Sequence, residues 1–519
     1  MGIIKKQSIF STVILYAGFV VGIFNNVILL PKTLSIDQLG LVSVLFGLSS
    51  IFYSYSSFGI INIINKFSNY YKNYLPYKKN DLLSLSLFTA IIASTLLTGV
   101  YILFQEKIFS FFHYQDLLLK YKNYVPLSGA FLLVQSILSI YTNTYYKTIW
   151  TNFIKEVVFR LYNTFLILLL LFRLIDFELY LKLYLCSYIF TSFLLTLYLI
   201  FLRKFVIHWK PSGLTKKLWP NMWKMGLISW SGDIVFSIGL QIDVLVTQSV
   251  LGSAKTGYYT FVVGFAVLIM APQRALINIS FPVLADSWRR KDMKNIRMIY
   301  QKSANNMLLA GGLVFLIITL NTHSIFDLVN KKGYYSEYFL SPSLVILLGI
   351  ARLIELGTGV NASIIYTSRK ISFWLVDFIS SIFIIIAIIF FNYFLAKEYG
   401  IVGIGVAAIF AYSLHNGFRM AYIYYKIKMH PLSVKMLKTV LAIIAVYFVE
   451  RGLEYFLNGT LKTIYEPRSY IKILLVISLR STLILTMYIL LAHYLRISEE
   501  AEILRLQISS RIKRIIKFK

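Results

Sequence analysis

Long apolar segments separated by short polar ones run along the whole chain. Each apolar segment has roughly 20 residues, the length of helix that crosses a hydrocarbon core about 30 Å thick. The pattern predicts about fourteen membrane-spanning helices, at residues 8–30, 39–63, 82–104, 125–146, 157–172, 183–202, 225–250, 257–281, 306–327, 342–366, 371–394, 401–424, 436–449 and 471–495. We therefore expect an all-α integral membrane protein.

Composition agrees with this pattern. Of the 519 residues, 58% are hydrophobic and only 14% are charged, which leaves too little polar surface for a water-soluble protein of this size. The one cysteine, Cys186, excludes a disulfide within the chain and a thiolate metal cluster. The net charge of +30 is spread over the connections between apolar segments. A nucleic-acid-binding protein would instead concentrate its basic residues in one domain.

The basic residues also predict the orientation, because cytoplasmic connections carry an excess of Lys and Arg. With fourteen spans, about 33 Lys and Arg fall in alternate connections and at the two chain ends, against about 13 in the opposite connections. Both termini are therefore expected in the cytoplasm. The tail, residues 497–519, has apolar residues at helical spacing among basic ones and is expected to lie along the inner leaflet.

A weak internal repeat relates the two halves of the sequence. A shift of 217 positions places Gly22 on Gly239 and Gly40 on Gly257, and it superposes spans one and two on spans seven and eight. This predicts two six-helix lobes related by a pseudo-twofold axis along the membrane normal, with a substrate cavity between the lobes. The expected organisation is an N-lobe at 1–205, a basic cytoplasmic linker at 206–224, a C-lobe at 225–428, two further spans at 429–496 and the tail at 497–519.

Six plus six plus two spans, paired G-x6-G turns beginning at Gly40 and Gly257, and the basic loop ADSWRRKDMKNIRMIYQK after span eight resemble a known family. This is the Wzx-type oligosaccharide flippase family of the multidrug/oligosaccharidyl-lipid/polysaccharide superfamily. The resemblance covers nearly the whole chain. It implies movement of a polyprenyl-pyrophosphate-linked oligosaccharide across a bacterial cytoplasmic membrane by alternating access, for surface polysaccharide or O-antigen synthesis. It also implies contact with membrane lipids, with a polysaccharide polymerase and with glycosyltransferases as possible partners, and no resident cofactor apart from possible H⁺ or Na⁺ coupling.

Polar residues within the spans are the candidate site. On span seven, eight small or polar residues share an arc of about 160° at 100° per residue. They are Gly226, Ser229, Asp233, Ser237, Gln241, Asp243, Thr247 and Gln248. Because charge near the bilayer centre is costly, this arc is expected to face protein or a water-filled cavity. Asp233 and Asp243 are candidates for ion coupling and Gln241 for substrate contact, while hydrogen bonding between helices is the alternative.

Span eight contains a candidate pyrophosphate ligand, Arg274, because a guanidinium offers paired donors to phosphate oxygens. Gln273 and Asn278 lie near it in the sequence MAPQRALINISFP and are candidate substrate contacts. The alternative is that the Arg274 side chain extends to the inner interface.

Span ten contains the pair Arg352 and Glu355, three residues apart on one helical face. We rank Arg352 first among the headgroup ligands and count Glu355 as a candidate for ion coupling. A self-contained ion pair is the alternative. Gly357 and Gly359 follow directly and would let this helix bend or pack tightly.

Further candidates are distributed over other spans. Asp377 in span eleven and His415 in span twelve are candidates for ion coupling, since a histidine can change charge near neutral pH. A hydrogen-bonded structural histidine is the alternative. Asn26 is a candidate substrate contact in the first lobe, which carries fewer charges than the second.

Three arginines have a structural interpretation. Arg160 and Arg419 are expected at the cytoplasmic interface, and Arg480 is expected in a helix-packing or lipid contact.

Two rival functions remain. A cation-coupled drug exporter of the same superfamily would use the acidic residues of the spans to bind organic cations. A membrane glycan polymerase or glycosyltransferase would need an acid or base at a membrane face, but the outer connections are short and His113 and His323 lack a neighbouring acidic cluster. The sequence has no Walker P-loop, which argues against ATP hydrolysis.

Overall fold

The computed structural model describes residues 10, 14–15, 17–22, 24–110, 116–145, 147–329, 342–368, 371–461 and 470–497. These residues form helices and connections, with no β-strand among them. The chain divides into two compact units, residues 1–261 and 262–519. The predicted amphipathic tail, apart from Ile497, lies outside the described residues.

From residue 24 onward, the first unit contains ten α-helices and the beginning of an eleventh within the described ranges. They are α1 (Leu30–Thr33), α2 (Ile36–Ser56), α3 (Ile60–Tyr74), α4 (Leu82–Ser110), α5 (Asp116–Lys120), α6 (Tyr124–Asn143), α7 (Thr148–Asn152), α8 (Phe159–Leu171), α9 (Phe177–Leu185), α10 (Ser187–Phe201) and α11 (Gly213–Ile269). Two π-helical turns, Phe24–Leu29 and Phe153–Val158, and a 3₁₀ turn, Tyr77–Lys79, complete it. Its core surrounds Ile64, Leu133 and Leu195, which are fully buried.

The second unit contains the end of α11 and eight further α-helices within the described ranges. They are α12 (Ala271–Arg290), α13 (Met293–Leu320), α14 (Thr322–Val329), α15 (Pro342–Gly357), α16 (Asn361–Thr367), α17 (Ile371–Ile427), α18 (Val434–Leu461) and α19 (Tyr470–Tyr494). Both α11 and α17 are two helices joined at a glycine with positive φ, Gly252 (φ 79°) and Gly400 (φ 59°). Glycine adopts this conformation without the steric cost that a side chain adds.

The prediction of an all-α integral membrane protein is confirmed. Among the described residues, eight helices are long and apolar enough to cross a membrane, and α15 with α16 forms a ninth if the bent pair is one span. The long helices α11 and α17 account for more than one predicted span each, because their parts join at Gly252 and Gly400 without an intervening polar loop. The count of fourteen stays a prediction.

Two predicted spans contain a helix break, and a third is shorter than its helix. The span at 39–63 is interrupted, since α2 ends at Ser56 and α3 begins at Ile60 after Gly59, which has a φ of 69°. The span at 257–281 crosses the break between α11 and α12. The span at 436–449 lies within α18, which continues to Leu461. A search for apolar segments of about 20 residues detects neither a local break in a helix nor a charged turn that continues one.

A reciprocal contact between glycines lies within the first unit, where α2 meets the part of α11 after Gly252. A Cβ atom added to Gly40 would lie 2.2 Å from the carbonyl oxygen of Ser253, and one added to Gly257 would lie 2.1 Å from that of Ile36. The 217-position shift of the sequence repeat takes Gly40 to Gly257 and Ile36 to Ser253, so the two contacts are equivalent under that shift. The backbones therefore touch with local twofold symmetry, in agreement with that repeat.

The predicted linker, 206–224, is partly helical because α11 begins at Gly213. Ser212 Oγ accepts a hydrogen bond from Thr215 N at 3.1 Å, which is the arrangement of a helix N-cap. The buried carboxylate of Asp81 holds this cap, since its Oδ2 accepts from Ser212 N and from Thr215 Oγ1, both at 2.7 Å.

Candidate functional site

The most developed polar site in the second unit surrounds a break in predicted span ten. Helices α15 and α16 meet at an angle of 44°, and Gly359 in the break has a φ of 62°. A Cβ atom on Gly359 would lie 2.8 Å from Ala304 N, so the close approach of α13 also requires glycine here. The bend that Gly357 and Gly359 predict is confirmed.

Arg352 and Glu355 lie on the last turns of α15, just before the break. Arg352 Nη1 donates to Glu355 Oε2 at 3.0 Å, and both side chains are about one quarter exposed or less. The guanidinium carbon of Arg352 lies 4.5 Å from the ring centroid of Tyr412, in the geometry of a cation–π contact. The predicted pair thus exists, and it is held against an aromatic face of α17.

An amide cluster fixes the two sides of the break to α17. Asn416 Oδ1 accepts from Asn361 Nδ2 at 3.0 Å and lies 3.1 Å from Thr358 Oγ1, while Asn416 Nδ2 donates to Tyr412 O at 3.0 Å. Ser303 Oγ of α13 accepts from Val360 N at 3.3 Å. The backbone groups and side chains at the break are therefore held by side chains of neighbouring helices, as a broken helix inside a membrane requires.

The two halves of α17 are joined by an ion pair between Asp377 and Arg419. Arg419 Nε donates to Asp377 Oδ1 at 2.6 Å and Arg419 Nη2 to Oδ2 at 3.1 Å. The side chain of Arg419 is 14% exposed and that of Asp377 is 2% exposed. The guanidinium of Arg419 is neutralised by Asp377, a partner that the expected interfacial position did not include, and that position stays a prediction. An ion-coupling role for Asp377 would require this pair to open.

His415 is half-buried on the same helix. Its Nδ1 atom is buried and has no hydrogen-bond partner among the described residues. Neither an ion-coupling role nor a hydrogen-bonded structural role is visible in its contacts, and the ion-coupling assignment stays a prediction.

An apolar cavity of about 580 Å³ lies on the other side of α15. Helix α15 contributes Ile346, Ile350, Leu353 and Ile354 to it, and α13 and α18 supply further aliphatic and aromatic side chains. At 100° per residue these four positions lie on the face of α15 opposite to Arg352 and Glu355. Helix α15 therefore separates an ion pair from an apolar cavity.

The polar arc of span seven packs within the first unit. Asp233 Oδ2 accepts from Asn62 Nδ2 at 3.0 Å, and Ser237 Oγ donates to Ser50 O at 3.1 Å. Gln241 lies against α2 at Gly47, where an added Cβ atom would be 3.3 Å from Gln241 Oε1. This part of the arc faces protein, as the cost of exposing polar groups to lipid requires.

The other predicted residues of the first unit are placed separately. Asp243 is half-buried on α11, and Asn26 is exposed on the π-helical turn Phe24–Leu29. The adjacent Asn25 is buried and makes the specific contacts, donating to Arg160 O at 3.0 Å and accepting from Thr164 Oγ1 at 2.8 Å. Arg160 itself pairs with Glu156 at 2.5 Å. The expectation of an interfacial side chain did not include this partner.

Helix α12 carries the predicted contacts of span eight. Arg274 is exposed and Gln273 is half-buried. Asn278 lies on α12, but its side chain is outside the described part of the structure. The described contacts bring none of these three residues to the Arg352 pair.

A buried charge network joins the last two spans. Arg480 pairs with Glu450, and also with Glu454 at 2.7 Å, and Glu454 pairs with Arg451 at 2.6 Å. The Arg480 side chain is 9% exposed, so of the two expected contacts, helix packing or lipid, the structure shows helix packing. The spacing of Glu450 and Glu454, one helical turn apart just beyond predicted span thirteen, was the available signal for this network.

No protein-family model and no curated protein matches this sequence. Solved structures match most of it. A lipid II flippase, MurJ, in an inward closed conformation superposes with a TM-score of 0.66 at 16% identity, covering 94% of this chain and 99% of that chain. An inward-facing multidrug resistance transporter of the MATE family of the MOP superfamily gives 0.64 at 14% identity, with coverages of 79% and 94%. A mutant MATE protein gives 0.51 at 14% identity, with coverages of 82% and 96%.

The chain therefore has the fold of these membrane transporters and is a multi-pass membrane protein. The Wzx-type assignment within that fold stays a prediction.

Proposed function

We propose that this protein is a flippase for a lipid-linked oligosaccharide, in which a polyprenyl chain is joined through pyrophosphate to the sugar. The proposal rests on the two different faces of α15. Its Arg352 offers a guanidinium to an anionic group, and its opposite face borders the apolar cavity. A substrate with a pyrophosphate between an apolar chain and a polar headgroup has matching chemistry on both sides.

The pyrophosphate would pair with Arg352 while the ring of Tyr412 keeps the guanidinium in place. Phosphate oxygens match the paired N–H donors of arginine, and the bond is strengthened where water is excluded. Glu355 would release Arg352 when the anion arrives, which makes the carboxylate available for H⁺ or Na⁺. Asp233 and Asp243 are further candidates for such coupling.

The apolar cavity would accept one part of the polyprenyl chain, since its volume is that of a small-molecule site. The remainder of the chain would stay in the bilayer. No bond of the substrate is made or broken in this scheme, so the protein acts as a transporter and not as an enzyme. A cytoplasmic-membrane location with both termini inside, and association with a polymerase and glycosyltransferases of surface polysaccharide or O-antigen synthesis, belong to the same proposal.

The test is flipping of a fluorescent polyprenyl-pyrophosphate oligosaccharide in proteoliposomes containing the full chain. Arg352→Ala is expected to reduce the flipping rate by a factor of at least ten, because one charge-assisted contact to phosphate contributes about 1.5–3 kcal/mol. Arg352→Lys is expected to retain part of the rate. The matched control is Arg290→Gln, which removes an exposed arginine that pairs with Asp286 away from α15. A flipping rate of Arg352→Ala equal to that of the wild type would contradict the assignment of the site.

A cation-coupled drug exporter is the second candidate function. The carboxylates of Asp233, Glu355 and Asp377 within apolar helices favour it, as does the similarity in fold to a MATE transporter. Uptake of a fluorescent organic cation into proteoliposomes distinguishes the two. Uptake of the cation without movement of the lipid-linked sugar would replace our first proposal with this one.

A further inference from the structure

A second cavity of about 410 Å³ lies in the second unit, between the first turns of α13 and the beginning of α18. It is separate from the apolar cavity beside α15, and the two share no lining residue. Most of its lining residues lie in two stretches rich in Lys and Arg that are predicted to be cytoplasmic, 289–302 and 426–438. The cavity is therefore expected at the inner membrane interface.

Cationic side chains dominate this cavity. Positions 294, 297, 301, 302 and 305 follow the spacing of one helical face of α13. They supply Lys294, Arg297, Gln301, Lys302 and Asn305, and α18 adds Lys435. Among the eleven described lining residues there are four cations and no carboxylate. Arg297 Nη2 donates to Lys428 O at 3.1 Å, which fixes the guanidinium at the cavity.

The beginning of α18 adds to the positive potential. Ser433 lines the cavity, and its Oγ accepts from Met436 N at 3.2 Å. Helix α18 has 28 residues, and the N-terminus of a long helix carries a partial positive charge that favours an anion. Helix dipole and side chains thus act in the same direction.

Apolar side chains border the same cavity. Met298 is 47% exposed and Val434 is 70% exposed, and Ile497 is buried at its edge. A free phosphate ion makes no use of exposed apolar side chains, whereas a lipid places its glycerol and the first acyl carbons beside its phosphate. Basic pockets between helices at the cytoplasmic membrane surface are suited to anionic lipid headgroups.

We propose that this cavity binds the phosphate of an anionic membrane lipid, with Lys294 and Arg297 as its principal ligands. The site would hold this edge of the second unit at the inner leaflet. It does not depend on the proposed transport function, because it uses none of the residues around Arg352.

The test measures binding of short-chain phosphatidylglycerol to the purified full chain in a neutral detergent. The double variant Lys294→Gln/Arg297→Gln is expected to weaken binding by roughly a factor of ten or more, because two charge-assisted contacts are lost. The control variant Arg289→Gln/Arg290→Gln removes the same charge from the preceding turn, where both arginines pair with Asp286 outside the cavity, and is expected to bind as wild type does.

Two further ligands distinguish the phosphate of a lipid from that of a soluble compound. Short-chain phosphatidylcholine is expected to bind weakly, because its headgroup has no net charge, and glycerol phosphate is expected to bind weakly, because it lacks acyl carbons. Glycerol phosphate binding as tight as that of the lipid would overturn the lipid assignment in favour of a soluble phosphate compound. An equal loss of lipid binding in the control variant, or no loss in the Lys294/Arg297 variant, would overturn the assignment of the site. Thermal unfolding of each variant verifies that it is folded.

Discussion

The two units satisfy the polar groups inside their helices in different ways. The first unit uses mostly hydrogen bonds of amide and hydroxyl side chains, such as Gln135 Nε2 donating to Thr191 Oγ1 at 2.6 Å and Asn62 donating to Asp233. The second unit uses ion pairs, described above for Arg352 with Glu355, Arg419 with Asp377 and Arg480 with Glu450. In our proposal the pyrophosphate binds in the second, charge-rich unit, where Arg352 lies.

This difference has an energetic consequence. Removing one partner of a buried ion pair leaves a charge without compensation and costs about 3–5 kcal/mol, whereas loss of a neutral hydrogen bond costs about 1–3 kcal/mol. The second unit is therefore expected to be the more sensitive to single polar substitutions.

The largest expected effect is that of Asp377→Asn. The substitution keeps the shape of the side chain but leaves Arg419 without its carboxylate, so the free energy of unfolding is expected to fall by about 3–5 kcal/mol. Unfolding in mixed micelles measures it. The double variant Asp377→Asn/Arg419→Met is expected to recover part of the loss, since it removes the uncompensated charge. A loss in Asp377→Asn below about 1 kcal/mol would show that the pair is not effectively buried.

A smaller effect is expected at the glycine contact of the first unit. Gly40→Ala and Gly257→Ala each place a methyl group against a carbonyl oxygen, and each is expected to cost about 1–3 kcal/mol through forced separation of the helices. Symmetry predicts similar losses for the two variants. Gly99→Ala is the control, because no atom lies within 4 Å of its added Cβ. Unequal losses at Gly40 and Gly257 would contradict the reciprocal geometry.

Asn62→Ala is expected to have a still smaller effect on stability, about 1 kcal/mol, because it removes one hydrogen bond to Asp233. If Asp233 couples ion binding to transport, the variant is also expected to shift the pH dependence of flipping, while Gln135→Ala, which removes a different neutral contact, leaves that dependence unchanged. Proteoliposome assays over a range of pH values measure it. An unshifted profile would separate Asp233 from coupling.

The smallest expected effect concerns two lysines at the predicted cytoplasmic end of the first unit. Lys72 and Lys204 both lie over the ring of Tyr145, at 4.5 and 5.4 Å. Burial, and secondly the charge of Lys204, lower the pKa of Lys72. Lys204→Gln is therefore expected to raise the pKa of Lys72, which reductive methylation at a series of pH values detects by mass spectrometry.

The lowered pKa of Lys72 also makes the stability of the folded protein depend on pH. Because the pKa of Lys72 is lower in the folded than in the unfolded protein, folding gains stability as pH rises from the folded value towards the ordinary lysine value. The gain is expected to be smaller in Lys204→Gln. A pKa of Lys72 that does not change on this substitution would show that burial alone lowers it.

Local spacing predicted those parts of the candidate site that lie on one helix. Arg352 and Glu355 are one turn apart, and the two glycines after them indicated the bend, so neither required knowledge of the fold. Arg419 with Asp377 and Arg480 with Glu450 join positions 42 and 30 residues apart. Such pairs depend on which helices pack together, and the positions of apolar segments in the sequence do not indicate that packing.

The break between α2 and α3 was missed for a similar reason. A Cβ atom on Gly59 would lie 2.2 Å from the carbonyl oxygen of Gly226, so a partner more than 160 positions away determines the local conformation. Asn361 was missed because its partner, Asn416, lies on another helix. Hydrophobic periodicity therefore predicted the fold class well, and the contacts between helices poorly.

The touching backbones at Gly40 and Gly257 also constrain how the sequence can evolve. If the two stretches descend from one duplicated ancestor, each copy has kept the smallest residue because the other copy's main chain occupies the space of a side chain. A side chain at one position would separate the two backbones, and this separation would remove the need for glycine at the other. Among descendants of that ancestor, we expect both glycines to be retained together or replaced together.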